Sequence, residues 1–188
     1  MPLFELERFI DECREAVGHD PRALKEVVAE AVADPHAVVR ALGEPRRAEL
    51  GTLHRSSDLT VLNLIWGPRM TLHAHDHRML AVIGLYGGRE DNQFYRRTGD
   101  GIETGGEKSL GTGDTVVLGD AVIHAVHNPL DELTGALHVY AGDFFGAARS
   151  EWDPETFVER PYDVENVRQI FDDSNRRLEE RGRHDPVT

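Results

Sequence analysis

Cysteine is nearly absent from this 188-residue chain; Cys13 is the only one. A single thiol cannot make an internal disulfide, a zinc knuckle or a redox Cys-x-x-Cys pair, so any metal here must be held by histidine and carboxylate. Cys13 also lies on an apolar helical stripe, where a small core residue is expected rather than a reactive one. Long apolar runs are missing too: none approaches the roughly 20 residues that a membrane span needs. The opening stretch MPLFELERFIDE is acidic from the start and lacks the basic region, apolar stretch and cleavage site of a signal peptide, which gives the expectation of a cytoplasmic protein. Positive charge is short, with 21 Lys and Arg against 34 Asp and Glu and a net charge of −13. Nucleic acids and anionic membranes reward positive charge, so neither is expected as a partner, whereas a small substrate responds to local charge in a pocket. Hydrophobic residues, at 39%, are enough for a packed core. No fixed-period repeat, low-complexity stretch or linker divides the chain, so residues 1–188 are expected to form one domain.

What is present falls into three stretches. Residues 1–45 read as helices. In LFELERFIDECREAV, the residues Leu3, Leu6, Phe9, Ile10, Cys13 and Val17 recur at helical spacing, and Gly18 can stop the turn. DPRALKEVVAEAVA and DPHAVVRALG each open with Asp-Pro, an N-cap followed by proline at the first helical position, and the second closes at Gly43. Residues 46–150 change texture. Short β-branched runs (LTVLNLIW, MTLHAH, LAVIGLY, NQFYRR, DTVVL, VIHAVH, GALHVYAG) alternate with turn residues, the pattern of an antiparallel sandwich or barrel. Residues 151–188 return to helix signals, first DPETFVER and then DVENVRQIFDDSNRRLEERG. In the latter Val164, Val167, Ile170, Phe171 and Leu178 mark one face and Asp163 can cap, and the tail RHDPVT is expected to be loose.

Histidine is abundant for so acidic a chain, 10 residues, most of them in the β segments. In LHAHDHRMLAVIG, strand alternation puts His73, His75 and His77 on one face and Leu72, Ala74 and Asp76 on the other. Unpartnered imidazoles are costly to bury, and a metal ion that takes up their lone pairs removes that cost. His124 and His127 differ by three and face opposite ways, so one of them can look inward. His138 and Tyr140, two apart, share a face.

The spacing is more specific than the count. Gly113, five residues, Gly119-Asp-Ala121, two residues, His124, three residues, Asn128 closely resembles the second conserved motif of the cupin superfamily, with Gly119 where proline is usual and Ala121 where glycine is usual. The first cupin motif fits in two registers. Counting from Gly67 selects His73 and His75; counting back from Gly88 selects His75 and His77, with Ala81 at the usual acid position. The second register is favoured because HDHRMLAVIGLYGGRE resembles the His-Asp-His block of the bacterial thiol dioxygenases, the cysteine dioxygenase and mercaptopropionate dioxygenase family. Trp66 stands nine residues before the first ligand, as in that family, and ALHVY sits where the family carries Ser-x-His-x-Tyr. WDPETFVERPYD and the N-terminal helices also fit its plan. The resemblance spans roughly residues 50 to 165, and its strong motifs are the two histidine blocks.

The resemblance implies a mainly β protein, a cupin-type double-stranded β-helix barrel with N-terminal helices and a C-terminal helix. It implies non-heme Fe(II) held by His75, His77 and His124, with His138 and Tyr140 as catalytic groups behind the metal. Arg55 matches the arginine that pairs with the substrate carboxylate. The implied reaction is O2-dependent oxidation of a small carboxylated thiol, of the cysteine or 3-mercaptopropionate type, to a sulfinate, with the thiol and O2 as small-molecule partners. Two departures stand out: Ala136 replaces the family's serine, and no cysteine lies near Tyr140 for a Cys-Tyr crosslink. Imidazole suits iron, zinc, copper and nickel alike, and zinc, nickel or manganese remain alternatives to iron. Ala136 keeps open a cupin metalloenzyme acting on a non-thiol substrate (another iron oxygenase, a hydrolase or an isomerase), and a metal-dependent binding module is the third alternative. For the other polar residues the expectations are structural. His73 belongs at the barrel mouth or behind the ligands, His127 faces outward, Glu90 makes an ion pair or turn, Asp76 braces a strand, and His54 has no assigned role.

Overall fold

The computed structural model describes residues 4–99 and 101–184. The chain runs through three helices, α1 (Leu6–Val17), α2 (Pro21–Val32) and α3 (Pro35–Leu42). The two Asp-Pro starts behave as the sequence requires. Asp20 accepts a hydrogen bond from the Arg22 backbone N–H, and Asp34 from that of Ala37. Eleven strands follow among the described residues: β1 (Glu49–Arg55), β2 (Thr60–Trp66), β3 (Thr71–Asp76), β4 (Ala81–Gly87), β5 (Arg89–Arg97), β6 (Ile102–Gly111), β7 (Thr115–Leu118), β8 (Ile123–His127), β9 (Thr134–Tyr140), β10 (Ser150–Trp152) and β11 (Glu159–Pro161). Helix α4 (Val164–His184) ends the described chain.

The strands form two antiparallel sheets, ordered β1-β2-β9-β4-β7 and β11-β10-β3-β8-β5-β6. Apart from the consecutive pairs β1-β2, β5-β6 and β10-β11, neighbours in these sheets are far apart in sequence, as in a double-stranded β-helix, and the fold is the mainly β, cupin-type barrel with terminal helices that the resemblance implies. Alternation decides what each face buries. On β2 the side chains of Leu62, Leu64 and Trp66 join the barrel interior, while Val61 and Ile65 join a second core under the helices. β4 and β9 divide in the same way, with Ile83 and Leu85 inside and Val82, Leu137 and Val139 outside. A strand buried on both faces shows no polar alternation, which is why TVLNLIW reads as a continuous apolar run. Helices α1 and α2 cover the outer face through Phe9, Cys13, Leu24, Val28 and Val32. Gly84 permits the close approach of α2, because a Cβ there would meet Val28 Cγ1 at 2.6 Å and Val32 Cγ1 at 3.0 Å.

Two sequence expectations need correction. DPETFVER is not a helix, and the barrel does not stop at residue 150. Asp153 does cap the next residues, accepting from the backbones of Glu155 and Thr156. The turn ends at Phe157, whose φ of 55° is left-handed, and Asp153 N–H then donates to Val158 O. That bond closes a hairpin in which β11 pairs with β10, and β10 adds to β3 at Glu151 opposite His75. Residues 151–161 therefore belong to the sheet that carries the histidines, and only α4 is helical in the C-terminal stretch. The loose tail was expected from residue 183, but the helix includes residues 183 and 184; the remainder, 185–188, lies outside the described residues.

Helix α4 closes one end of the barrel. Val167 and Phe171 enter the interior core, with Ile170 packed against it. Asn175 holds the start of β1 from both sides: its Oδ1 accepts from Ala48 N–H at 2.7 Å, and its Nδ2 donates to Ala48 O at 2.9 Å.

Candidate metal centre

His75 on β3 and His124 on β8 are direct cross-strand partners, and His77 lies one residue beyond the end of β3. All three are buried, at 3%, 1% and 2% exposure for His75, His124 and His77. His75 Nε2 stands 3.2 Å from His77 Nε2, and His124 Nε2 stands 3.3 Å from the same atom. Among the described residues this is the one group of three or more His, Cys, Asp or Glu side chains positioned to share a cation.

Proton placement is what makes the cluster suited to a metal. His75 Nδ1 lies 3.0 Å from His73 O, an oxygen that only accepts, so His75 carries its proton on Nδ1 and presents a lone pair on Nε2. His124 Nδ1 lies 2.7 Å from Asn92 Oδ1, which imposes the same tautomer. A proton on His77 Nε2 could then serve only one of its two neighbours. Three nitrogens crowded in this way repel one another unless a cation sits among them. Ligands about 2.1 Å from an ion at angles of about 90–110° stand roughly 3.0–3.4 Å apart; the two distances to His77 Nε2 fall in that range, and all three ligand nitrogens lie within 4.8 Å of one another. The imidazoles also stay neutral. Burial, then the nearby His124, pushes His75 and His77 well below the usual imidazole range, and burial holds His124 down at about 4.

A register shift between Leu72 and His75 breaks the alternation expected for this strand. His73 therefore does not share a face with His75 and His77. Its Nε2 lies 3.2 Å from Glu151 Oε2 on β10, while Leu72 turns to the cavity lined by the triad. His127 points away, between Thr71 Oγ1 and Met70 O. Asp76 ties β3 to β10 by accepting from Ser150 N–H at 2.7 Å and from Arg78 Nε at 2.5 Å. His54 meets only Ser56 Oγ, at 3.3 Å.

The cavity beside the triad measures about 20 Å³, room for about one water. His138 and Tyr140 line it, as do Trp66, Phe144 and Tyr162. Tyr140 donates or accepts at His138 Nδ1 over 3.1 Å, and its ring centroid lies 5.0 Å from that of His77. Burial raises the Tyr140 pKa, so the phenol keeps its proton at neutral pH.

Arg55 is not brought to the cavity. Its guanidinium makes two hydrogen bonds to Asp143, at 2.8 and 2.9 Å, on a half-exposed surface beside Phe145. A different arginine comes close. Arg149, 6% exposed, stacks its guanidinium 3.9 Å from the Phe144 ring centre and 3.5 Å from that of Tyr162. Its Nη1 and Nη2 are buried with no hydrogen-bond partner. A buried cation with idle donors is rare enough to need an explanation. Sequence reasoning missed Arg149, and its signal is slight: a lone arginine between the small residues of GAARS and the start of a strand. Asn92 was missed as well. The alternation of Glu90, Asn92 and Phe94 on β5, all on one face, could have shown it.

No protein-family model matches the chain. Solved structures that resemble it include an RmlC-like cupin with a double-stranded β-helix fold from Methanocaldococcus jannaschii (10% identity, TM-score 0.47, covering 55% of this chain and 87% of that one). A double-stranded β-helix protein from Klebsiella pneumoniae aligns at 15% identity with a TM-score of 0.43, over 64% of this chain and 90% of that one. A cupin 2 conserved barrel protein from Salinispora arenicola aligns at 18% identity with a TM-score of 0.41, over 50% of this chain and 74% of that one. The strand order and the three buried histidines define the class: a cupin-type barrel with a candidate divalent-metal centre at His75, His77 and His124.

Proposed function

We propose that this chain is a non-heme Fe(II) thiol dioxygenase that oxidises a small carboxylated thiol to its sulfinate. The observation that carries the reading is the pairing of three neutral, convergent imidazoles with a buried guanidinium, its terminal nitrogens without hydrogen-bond partners, stacked on Phe144 and Tyr162, two rings that line the same cavity. The first suits a metal that takes a thiolate, and the second suits a carboxylate on the same small molecule. Ferrous iron held by His75, His77 and His124 would supply the electrons that activate O2 and a coordination site for sulfur. The conversion is R–SH + O2 to R–SO2H, in which the electrons leaving sulfur are those that dioxygen takes up.

The chain's own residues bind, orient and exclude water. Arg149 anchors the carboxylate, the role that the resemblance gave to Arg55. The choice rests on geometry: the Arg55 donors are engaged by Asp143, whereas the two Arg149 terminal nitrogens have no partner. Trp66, Phe144, Tyr162 and Phe171 wall the cavity with aromatic rings and keep bulk water from the reacting atoms. His138 and Tyr140 hold a proton beside the triad, 3.1 Å apart.

The second reading, a metal-dependent cupin acting on a non-thiol substrate, is favoured by Ala136. It is fully buried on β9, two residues before His138, and leaves that strand face without the relay hydroxyl. Anaerobic addition of cysteine, 3-mercaptopropionate or cysteamine to the Fe(II) protein, followed by nitric-oxide EPR, separates the two. The proposal expects a carboxylated thiol to change the spectrum of the iron–nitrosyl; spectra that no thiol alters favour the second reading.

A further inference from the structure

Glu90 lies on β5 with no exposed surface and is joined to His124 through Asn92, at the branch point of the network behind the three histidines. Its Oε2 accepts from Trp66 Nε1 at 2.7 Å, and its Oε1 accepts from Asn92 Nδ2 at 2.9 Å. His138 Nε2 stands 3.6 Å from Oε2. Burial alone would raise its pKa, but the His138 imidazole and the Asn92 amide more than offset that, and the net shift is downward. At neutral pH Glu90 is therefore a carboxylate. A carboxylate has no proton to give, so every neighbour must donate to it.

Two chains of protons follow from that one valence. Asn92 must turn its NH2 to Glu90, which leaves Oδ1 toward His124 Nδ1 at 2.7 Å. That oxygen accepts only, so His124 carries its proton on Nδ1 and keeps a lone pair on Nε2. In the other direction His138 Nε2, buried with no hydrogen-bond partner, faces the Glu90 carboxylate at 3.6 Å, a negative charge that repels a lone pair there and favours the proton on Nε2, with the lone pair on Nδ1. The Tyr140 hydroxyl, 3.1 Å away, then donates to it.

We propose that Glu90 is a positioning residue: it fixes the His124 tautomer through Asn92, and through His138 it points the Tyr140 proton away from the cavity. Tyr140 therefore offers its oxygen, not its proton, to whatever enters. The polarity matters because Ala136 supplies no hydroxyl here. A serine could donate or accept, whereas a buried carboxylate can only accept, so the direction of the chain is set once. The inference rests on the metal-site reading for its His124 branch only; the His138 branch stands in metal-free protein.

The test is a two-bond 1H–15N correlation spectrum of full-length protein with 15N-labelled histidine, without metal, beside Zn(II) titrations. Wild type is expected to show His138 protonated on Nε2 and His124 on Nδ1. Glu90→Gln, which exchanges one acceptor for a donor, is expected to move His138 toward the Nδ1–H form and to weaken Zn(II) binding by roughly 10- to 100-fold. Glu90→Asp, which keeps the carboxylate, is expected to restore the Nε2–H form of His138. His138 protonated on Nδ1 in wild type overturns the proposal, as does a folded Glu90→Gln protein with tautomers and zinc affinity unchanged. If Glu90→Gln does not fold, the wild-type spectrum decides alone. If wild type binds no zinc, the metal reading fails, and the His138 tautomer still decides the role of Glu90.

Discussion

At Arg149 two terminal guanidinium nitrogens are buried without hydrogen-bond partners, stacked on the Phe144 and Tyr162 rings that line the triad's cavity. A charged hydrogen bond to a ligand is worth about 1.5–3 kcal/mol, or roughly 10- to 150-fold in binding. Arg149→Gln is accordingly expected to lower kcat/KM for 3-mercaptopropionate or cysteine by roughly that factor and to leave cysteamine, which has no carboxylate, nearly unchanged. Oxygen-uptake kinetics with the three thiols measure this; an equal loss on all of them would make Arg149 merely structural. Tyr140→Phe removes one hydroxyl and no metal ligand, so turnover is expected to fall by about 3- to 10-fold with iron content retained. Metal analysis beside steady-state rates checks it. The three candidate histidines were legible because the His-Asp-His block and the His-x3-Asn spacing, both resembling known motifs, lie within short stretches of sequence. Arg149 was not, because its meaning comes from Phe144 and Tyr162, which are brought against it only by the fold. His73 was misplaced because the register shift after Leu72 leaves no mark in the sequence.

At the scale of elements, the strands that were read from the sequence are those that bury at least one face. β6 was not read, and it is a sheet edge. β6 leaves seven consecutive residues exposed, from Glu103 to Ser109, so its pairing rests on backbone hydrogen bonds and leaves no apolar pattern to detect. DPETFVER misled for a related reason: its cap is real, but pairing with β10 captures the residues that would have extended the helix. The helices dock by close fit. At Gly84 a valine would overlap Val28 on α2, and overpacking of this kind costs about 1–3 kcal/mol. Gly84→Val is expected to lower the unfolding free energy by that amount, read as a lower urea midpoint, while iron stoichiometry stays at the wild-type value, since the side chain of residue 84 would face α2 and not the triad. An unchanged midpoint would show that α2 gives way freely.

Over the whole molecule, the buried imidazoles link stability to pH. Their folded pKa values lie below the unfolded value of 6.5, with His124 at about 4 and His75 and His77 lower than the usual range for the same chief cause, burial. Between about 6.5 and 4 the unfolded chain binds protons that the native site refuses, so stability falls as pH drops through that window and is fully present above it. Metal-free protein is expected to lose urea resistance between pH 7 and pH 5. Denaturation midpoints across that range test this, and a flat profile would mean that the imidazoles are not held neutral.

The most direct measurement is oxygen uptake by iron-loaded protein given 3-mercaptopropionate or cysteine, with sulfinate counted in the same sample. The account predicts equimolar consumption of O2 and formation of sulfinate, abolished in His124→Ala together with bound iron. No uptake with any thiol, or equal rates and equal iron in His124→Ala, would contradict it.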